Sequence, residues 1–303
     1  MKYNKIPISI ENQIQKLKDR GLKFDNEKKS AHYLSNISYY RLRAYTFPFQ
    51  DNENITDNQP FIVKDISFEK IIDLYVFDRK LRFLIFDAIE KIEISFRAQI
   101  INTFSITHGS HWQLDKSLFN NEDIFYKNIE SLNTEIERSN ETFINHYKTK
   151  YTNPLEPPCW MSLEVSSIGL ISKMFRNIKK CKEKNAVTMY FGLTDFSILE
   201  NWMQSFSILR NTCAHHGRIW NRRLLKIKIP NFHKYPFISK QTKADIYPNK
   251  LYATICCIEY FLKIISPQNT LKDKLKSLLN SCPMKQEKEM GFPDGWDKDP
   301  FWN

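Results

Sequence analysis

The sequence predicts an all-α protein, because helical periodicity dominates it and its glycines and prolines mostly fall between the periodic stretches. The clearest stretch is "SFEKIIDLYVFDRKLRFLIFDAIEKIEISFRAQIINTF", residues 67–104, which contains neither proline nor glycine. We expect one long central helix there, with the four-residue pairs Asp78–Arg82 and Glu93–Arg97 on its polar side. The apolar residues that recur at three- and four-residue steps are Phe77, Leu81, Leu84, Ile85, Ala88, Ile89, Ile92, Phe96 and Ile100.

Shorter elements flank this helix. Residues 9–21 form an amphipathic helical pattern that ends at Gly21. The stretch "SAHYLSNISYYRLRAYTFPF" follows it and ends near Pro48, and the composition of residues 51–62 predicts a polar loop. Residues 121–147 form a helical pattern after Gly109, and the prolines of "YTNPLEPPCW" indicate a rigid connection.

The second half of the chain predicts two further helices in "WMSLEVSSIGLISKMFRNI" and "LTDFSILENWMQSFSILRNTCAHH", joined by the basic "KKCKEKNAVTMYFGL". Residues 250–265 and 270–280 are predicted to be helical, and the tail "MGFPDGWDKDPFWN" irregular. We expect an N-terminal helical region at 1–62, a helical core at 63–235, and C-terminal helices with the tail at 236–303.

Composition favours a polyanion as partner. The 303 residues include 45 Lys and Arg against 34 Asp and Glu, a formal net charge of +11, which suits nucleic acid. The chain is also rich in Lys, Asn, Ile, Phe and Tyr, a bias that AT-rich coding alone can produce. The positive charge could therefore reflect this bias instead of a nucleic-acid partner. No G-x-x-x-x-G-K or G-x-G-x-x-G motif occurs, which argues against a glycine-rich nucleotide loop.

The sequence predicts no metal and no cofactor. The six cysteines form no C-x-x-C pair, and His108, His111 and His146 lack metal-site spacing. We expect reduced, mostly buried thiols and a cytoplasmic protein, because the N-terminus lacks the apolar run of a signal peptide and no membrane span is predicted.

The segment "RNTCAHHGRIWNRR", residues 210–223, combines an arginine, an asparagine and two adjacent histidines. At about 100° per residue, His215 projects roughly opposite the expected core stripe of this helix. Asn211 lies beside His215, and Arg210 lies about 140° from His215 around the helix axis. Small Ser207 and Ala214 lie between them and predict a concave strip. The core stripe consists of Trp202, Phe206, Leu209 and Cys213.

The end of this helix is also predictable. His216 flanks the core stripe and is expected to pack as a structural residue, while Gly217 is a candidate cap that places His215 in the last turn. There the helix dipole favours a protonated imidazole, and Arg218 and Arg222 oppose it. Spacing alone leaves open that Arg210 and His215 are merely a solvated pair.

These residue types suit phosphodiester transfer without a metal. A histidine near neutral pKa can move a proton to or from a ribose oxygen. An arginine can hold the phosphate with two parallel hydrogen bonds and stabilise the charge that builds on it. RNA, with its internal 2′-hydroxyl nucleophile, suits such a site better than DNA.

At these residues the chain resembles the HEPN superfamily, whose hallmark is an arginine, four to six residues, then a histidine. The match extends to "GLKFDNEKKSAHYLSNISYYRLRAYTFPF", "LYVFDRKLRFLIFDAIEKIEISFRAQI", "HWQLD", "HYKTKY", "PPCWMSLEVSSIGLIS" and "LRNTCAHHGRIWNR", in that order. Together with the "GFPDGW" tail, these motifs are similar to the Abi-like proteins of bacterial phage abortive infection, the AbiD/AbiF type.

The resemblance implies a HEPN-type helical bundle, an RNA-directed role in phage defence and a site completed by homodimerisation. It implies that Arg210 and His215 are the catalytic pair of an endoribonuclease, and that Asn211 supports them by fixing the tautomer of His215. The alternatives are a non-catalytic module that holds a small structured RNA, and a toxin silenced by a partner.

Other residues are weaker candidates. Arg218, Arg222, Arg41 and Arg43 could bind RNA, although core packing is the favoured interpretation of the aromatic residues beside the last two, which are Tyr39, Tyr40, Tyr45 and Phe47. Glu164 could form an ion pair with Arg210 or be an ordinary surface residue. Arg79 and Arg82 are expected on a solvated face.

Overall fold

The computed structural model describes residue 2 and residues 6–53, 59–231, 234–282, 284 and 287–303. Over these residues every named element is helical, and no strand is present, so the predicted all-α class is confirmed. The α-helices are α1 Ile10–Asp19, α2 Glu27–Ile37, α3 Tyr39–Thr46, α4 Phe68–His108, α5 Glu122–Arg138, α6 Thr142–Lys150, α7 Cys159–Ser162, α8 Ile168–Asn177, α9 Lys182–Tyr190, α10 Phe196–Ala214, α11 Lys240–Ala244, α12 Leu251–Ile265 and α13 Leu271–Asn280.

The chain divides into two compact units. The first comprises Met1–Leu81 and Ser277–Gln286, and the second comprises Arg82–Lys276 and Glu287–Asn303. In the part of the chain described above, no helix combines the length and apolar character needed to cross a membrane.

In the first unit, helix ends follow the predicted signals. The Ser9 hydroxyl caps α1 by accepting from the Asn12 backbone N–H at 3.3 Å, and Gly21 adopts a φ of 93° just after the helix. Tyr45 is buried and donates to the Asp78 carboxylate at 2.6 Å. Tyr40 and Phe47, in contrast, are 85% and 43% exposed, so their predicted core positions are wrong.

The predicted central helix is confirmed as α4, and its apolar stripe is buried except for the half-buried Leu84. Its polar side is not where the charge pattern predicted, because Asp78, Arg82, Glu93 and Arg97 are all buried. Four-residue spacing indicates which side chains can meet, but it does not indicate which face of the helix meets water. The solvated position predicted for Arg82 is therefore wrong.

In the second unit, α10 packs chiefly on α8, and α8 also packs on α5. The helix predicted over "WMSLEVSSIGLISKMFRNI" is interrupted, because Ser167 caps a new helix by accepting from the Leu170 N–H at 3.3 Å. Glu135 of α5 stabilises this break by accepting from the Ser167 N–H and hydroxyl, both at 2.8 Å. The interruption brings the Ser166 carbonyl toward α4.

Three regions contain structure that periodicity did not predict. The basic connection contains α9, the segment before α12 contains α11, and the tail forms two short 3₁₀ helices, Trp296–Lys298 and Pro300–Trp302. Trp302 is fully buried and donates to the Tyr252 hydroxyl at 3.0 Å. None of the six cysteines, all of which the structure describes, forms a disulfide, and Cys159, Cys213, Cys256 and Cys257 are buried.

Candidate functional site

The site is built at the C-terminal end of α10. Asp195 caps the start of this helix by accepting from the Ser197 N–H at 2.8 Å. The predicted core stripe is confirmed, since Trp202, Phe206, Leu209 and Cys213 are all buried. Trp202 also donates its indole N–H to the Lys228 carbonyl at 2.7 Å, which fixes the helix against the chain that follows it.

The helix ends in a left-handed turn that exposes His215. The His216 N–H donates to the Cys213 carbonyl at 3.0 Å, and the Gly217 N–H donates to the Thr212 carbonyl at 2.8 Å, the hydrogen-bond pair of a Schellman motif. Gly217 thus takes part in the cap through its N–H, but His216 supplies the left-handed conformation that a glycine usually provides, with a φ of 58°.

Both histidines are exposed, but only one matches its prediction. His215 is the last residue of the helical path, and its N–H donates to the Asn211 carbonyl at 3.0 Å. The packed position predicted for His216 is wrong, because the left-handed turn carries its side chain away from the core stripe. His215 thus presents its imidazole to solvent at the C-terminal end of α10.

Arg210 is held against α4 by an ion pair and an aromatic ring. Its Nε lies 3.6 Å from Glu93 Oε2, and its guanidinium carbon lies 5.2 Å from the centre of the Phe86 ring. Its Nη1 donates to Asn211 Oδ1 at 3.5 Å, so the Asn211 side chain supports Arg210 rather than the predicted His215. The Arg210 side chain is 35% exposed.

Glu93 joins Arg210 to a second arginine. Its Oε1 accepts from Arg97 Nη2 at 3.1 Å, and the same Nη2 donates to the Ser166 carbonyl at 3.0 Å. Glu164 lies 3.7 Å from Arg97 Nη1, so the predicted pairing of Glu164 with Arg210 is wrong. The sequence showed the Glu93–Arg97 spacing, but no signal in it linked Glu93 to Arg210.

The predicted concave strip is only partly present. Ser207 is buried, and its hydroxyl oxygen lies 3.2 Å from the place that a Cβ on Gly169 would occupy. Ser207 therefore allows α10 to approach α8 closely and is not available to a ligand. Ala214 is half-buried next to His215, and Arg210 and His215 are about 7.5 Å apart along the helix axis.

Two of the four predicted RNA-binding arginines follow the site directly. Arg218 is half-buried, with its guanidinium carbon 5.6 Å from the centre of the Trp220 ring, and Arg222 is exposed and donates to the Arg218 carbonyl at 3.4 Å. Arg41 and Arg43 are also exposed but belong to the first unit, where Arg43 donates to Gln59 Oε1 at 3.4 Å. Among the described residues, no group of three or more His, Cys, Asp or Glu side chains could hold a metal ion.

The fold and the site define an all-helical protein in which an arginine and a histidine share the last turns of one helix. A family model described as "Abi-like protein" matches residues 32–221, nearly two thirds of the chain, and the protein therefore belongs to this family. The matched residues include Glu93, Arg210 and His215. No curated protein and no solved structure matches the chain. Membership of the Abi-like family suggests a role in abortive infection by phage.

Proposed function

We propose that this protein is a cytoplasmic, metal-independent endoribonuclease of the HEPN type that acts in abortive infection. The observation that supports this most strongly is the contrast between the two motif residues. Arg210 is fixed by Glu93 and Phe86, and His215 is free to meet solvent at the end of the same helix. A fixed cation suits a phosphate, and an accessible imidazole suits proton transfer.

The reaction follows from the nature of RNA. The ribose 2′-oxygen attacks the adjacent phosphorus, the bond from phosphorus to the 5′-oxygen breaks, and the products are a 2′,3′-cyclic phosphate and a 5′-hydroxyl. His215 takes the proton of the 2′-hydroxyl or supplies one to the departing 5′-oxygen. Arg210 binds the non-bridging phosphate oxygens and stabilises the charge that builds on them.

A homodimer would complete this chemistry, because one subunit offers a single histidine at the site. Gln204, Ile208, Asn211 and His215 follow one another at helical spacing on α10, and Ile208 is 44% exposed. Two-fold pairing of this face would bring the partner subunit's His215 to the same phosphate, so that one imidazole acts as base and the other as acid.

The test compares two histidines that are neighbours in the chain. We expect His215→Ala and Arg210→Ala each to lower RNA cleavage by at least about a hundredfold, while His216→Ala, also exposed, keeps it. Cleavage should persist in EDTA, and a 2′-deoxyribose at the scissile position should block it. Thermal unfolding of each variant shows that it is folded.

Equal cleavage by His215→Ala and His216→Ala would contradict the proposal. Tight RNA binding without cleavage by any of these proteins would instead favour the module that holds a small structured RNA. Cleavage that appears only after a co-purified polypeptide is removed would favour a toxin silenced by a partner.

A further inference from the structure

The chain around the site is depleted of negative charge. Residues 201–244 contain no Asp or Glu, and of these the structure describes 201–231 and 234–244. Because the whole protein contains 34 acidic residues, a run of this length without one gives this stretch of the chain an unbroken positive charge. Its cations are Arg210, Arg218, Arg222, Arg223, Lys226, Lys228, Lys234, Lys240 and Lys243.

Residues 222–228, which we call the basic segment, run back along α10 from the His215 end. The Asn201 side chain donates to the Lys226 carbonyl at 3.1 Å and accepts from the Lys228 N–H at 2.7 Å. Since Asn201 lies about 20 Å along α10 from Ala214, the segment follows most of the length of that helix. These bonds hold it in one conformation.

The basic segment starts beside the catalytic end of the helix and presents its charges to solvent. A Cβ on Gly217 would lie 3.5 Å from Arg222 Nη1, so this guanidinium lies close to the turn that carries His215. Arg222, Arg223, Lys226 and Lys228 are exposed, while Ile227 points into the core. Among the described residues, none of these four cations forms an ion pair.

An exposed tyrosine immediately precedes the two residues that accept hydrogen bonds from the basic segment. The Ile227 N–H donates to the Pro248 carbonyl at 2.8 Å and the Leu224 N–H to the Asn249 carbonyl at 2.9 Å. These bonds fix the basic segment to the turn that follows Tyr247, whose side chain is 64% exposed. An exposed aromatic residue on a segment that is bonded to a run of exposed cations is a combination that suits single-stranded nucleic acid, since bases stack on aromatic rings and phosphates meet the charges.

We propose that the basic segment and Tyr247 bind a single-stranded stretch of the RNA, which leads away from the His215 end of α10 toward the start of that helix. Arg222, Arg223 and Lys226 contact successive phosphates, and an unstacked base packs on Tyr247. This inference rests on the proposed function for the identity of the polyanion. It adds where the strand runs and that the bound stretch is single-stranded, because a base within a duplex is not available for stacking.

The first measurement counts phosphate contacts through the salt dependence of binding. All proteins carry His215→Ala so that the RNA stays intact, and fluorescence anisotropy gives the affinity for a labelled single-stranded RNA at several salt concentrations. In the plot of log affinity against log salt, replacing Arg222, Arg223 and Lys226 by Gln should reduce the slope by about 2.

A matched control replaces Lys179, Lys180 and Lys182 by Gln, three exposed cations elsewhere in the same unit. The control changes the net charge equally, and we expect it to leave the slope within about 0.5 of the parent value, since distant exposed charges are screened by salt. Equal slopes for the two triple variants would overturn the proposal.

The second measurement tests base stacking. Tyr247→Ala should weaken binding of single-stranded RNA at least about fivefold and leave binding of duplex RNA unchanged, while Tyr247→Phe keeps the parent affinity. The control is Tyr126→Ala, since Tyr126 is 53% exposed in the same unit. Equal affinities of Tyr247→Ala and Tyr126→Ala for single-stranded RNA would overturn the stacking role.

These outcomes are separable from the failure of the ribonuclease proposal. If the parent protein with His215 intact cuts no RNA, but the slopes and the tyrosine variants behave as expected, the binding surface stands and the ribonuclease proposal falls. If the parent protein cuts RNA and the basic-segment variant binds and cuts like its control, the surface is wrong and the ribonuclease proposal stands.

Discussion

Glu93 places one carboxylate between two guanidinium groups. It lies 3.1 Å from Arg97 and 3.6 Å from Arg210, and its side chain is only 11% exposed. Arg97 has further partners in the Ser166 carbonyl and Glu164, whereas Glu93 is the acidic partner of Arg210. The group of side chains therefore keeps Arg210 in one orientation while leaving it positively charged, as a phosphate-binding residue requires.

We expect Glu93→Gln to lower single-turnover cleavage at saturating RNA about ten- to a hundredfold, because a misplaced phosphate-binding group loses catalysis more than binding. RNA affinity should change by less than about threefold. Glu93→Asp keeps the charge and should recover part of the rate. The matched control is Glu90→Gln, an exposed glutamate on the same helix.

In Glu93→Gln, cleavage and RNA affinity could fall together, in proportion to a loss of folded protein seen by circular dichroism. That result would show that the role of Glu93 is purely structural. Removing one partner from a buried ion pair destabilises a protein by several kcal/mol. The assays therefore belong well below the unfolding temperature of each variant.

At the scale of one element, the end of α10 depends on a residue that is unusual for its conformation. His216 has a φ of 58°, a region that costs most residues about 1–2 kcal/mol and costs glycine little. We predict that His216→Gly is more stable than His216→Val by about 1–2 kcal/mol in urea unfolding. Both variants lose the imidazole, so their difference isolates the backbone. Equal stabilities would contradict the left-handed turn.

The elements also show what periodicity can predict. The core stripe of α10 and the length of α4 follow from apolar spacing, because both helices bury one continuous apolar face. Helix α9 does not follow, since its burial includes Lys184, which is 1% exposed and lies 2.7 Å from Glu200. A lysine in a basic stretch predicts a solvated surface, and that prediction is reversed by Glu200 on another helix together with the Ile178 carbonyl, to which Lys184 donates at 2.7 Å.

The same limit applies to the candidate site. The roles of Arg210 and His215 are proposed from their spacing and from the family resemblance. The spacing could be seen in the sequence because both residues lie at the end of one helix. Their environment was not predictable, because Glu93, Phe86 and Arg97 come from a helix far away in the sequence. The end of α10 was mispredicted because glycine is the usual residue for a left-handed turn, and here a histidine fills it.

For the whole molecule, one buried carboxyl group links stability to pH. Glu259 on α12 is 2% exposed, and burial raises its pKa to about 7, with Lys263 and Asn269 acting in the opposite direction. Because this pKa is raised on folding, the folded protein binds a proton that the unfolded chain has lost. The stabilising contribution is complete below about pH 4.5 and is lost as the pH rises through 7.

We therefore expect Glu259→Gln to raise the unfolding free energy at pH 8 by up to about 3 kcal/mol. The gain should shrink progressively as the pH is lowered to 5. Urea unfolding at a series of pH values measures it, with exposed Glu137→Gln as the control. A gain that is the same at every pH would show that the substitution acts through packing and not through ionisation.

Each of the two units draws on two separate stretches of chain, and this limits how the protein can be taken apart or recombined. A gene fragment that encodes only residues 82–276 would lack Phe301 and Trp302, whose rings lie 5.4 Å from Phe237 and 6.1 Å from Tyr252. It would expose those partners to water, which favours aggregation. Neither unit is thus transferable as one contiguous block, because each is completed by a second, distant stretch of the chain.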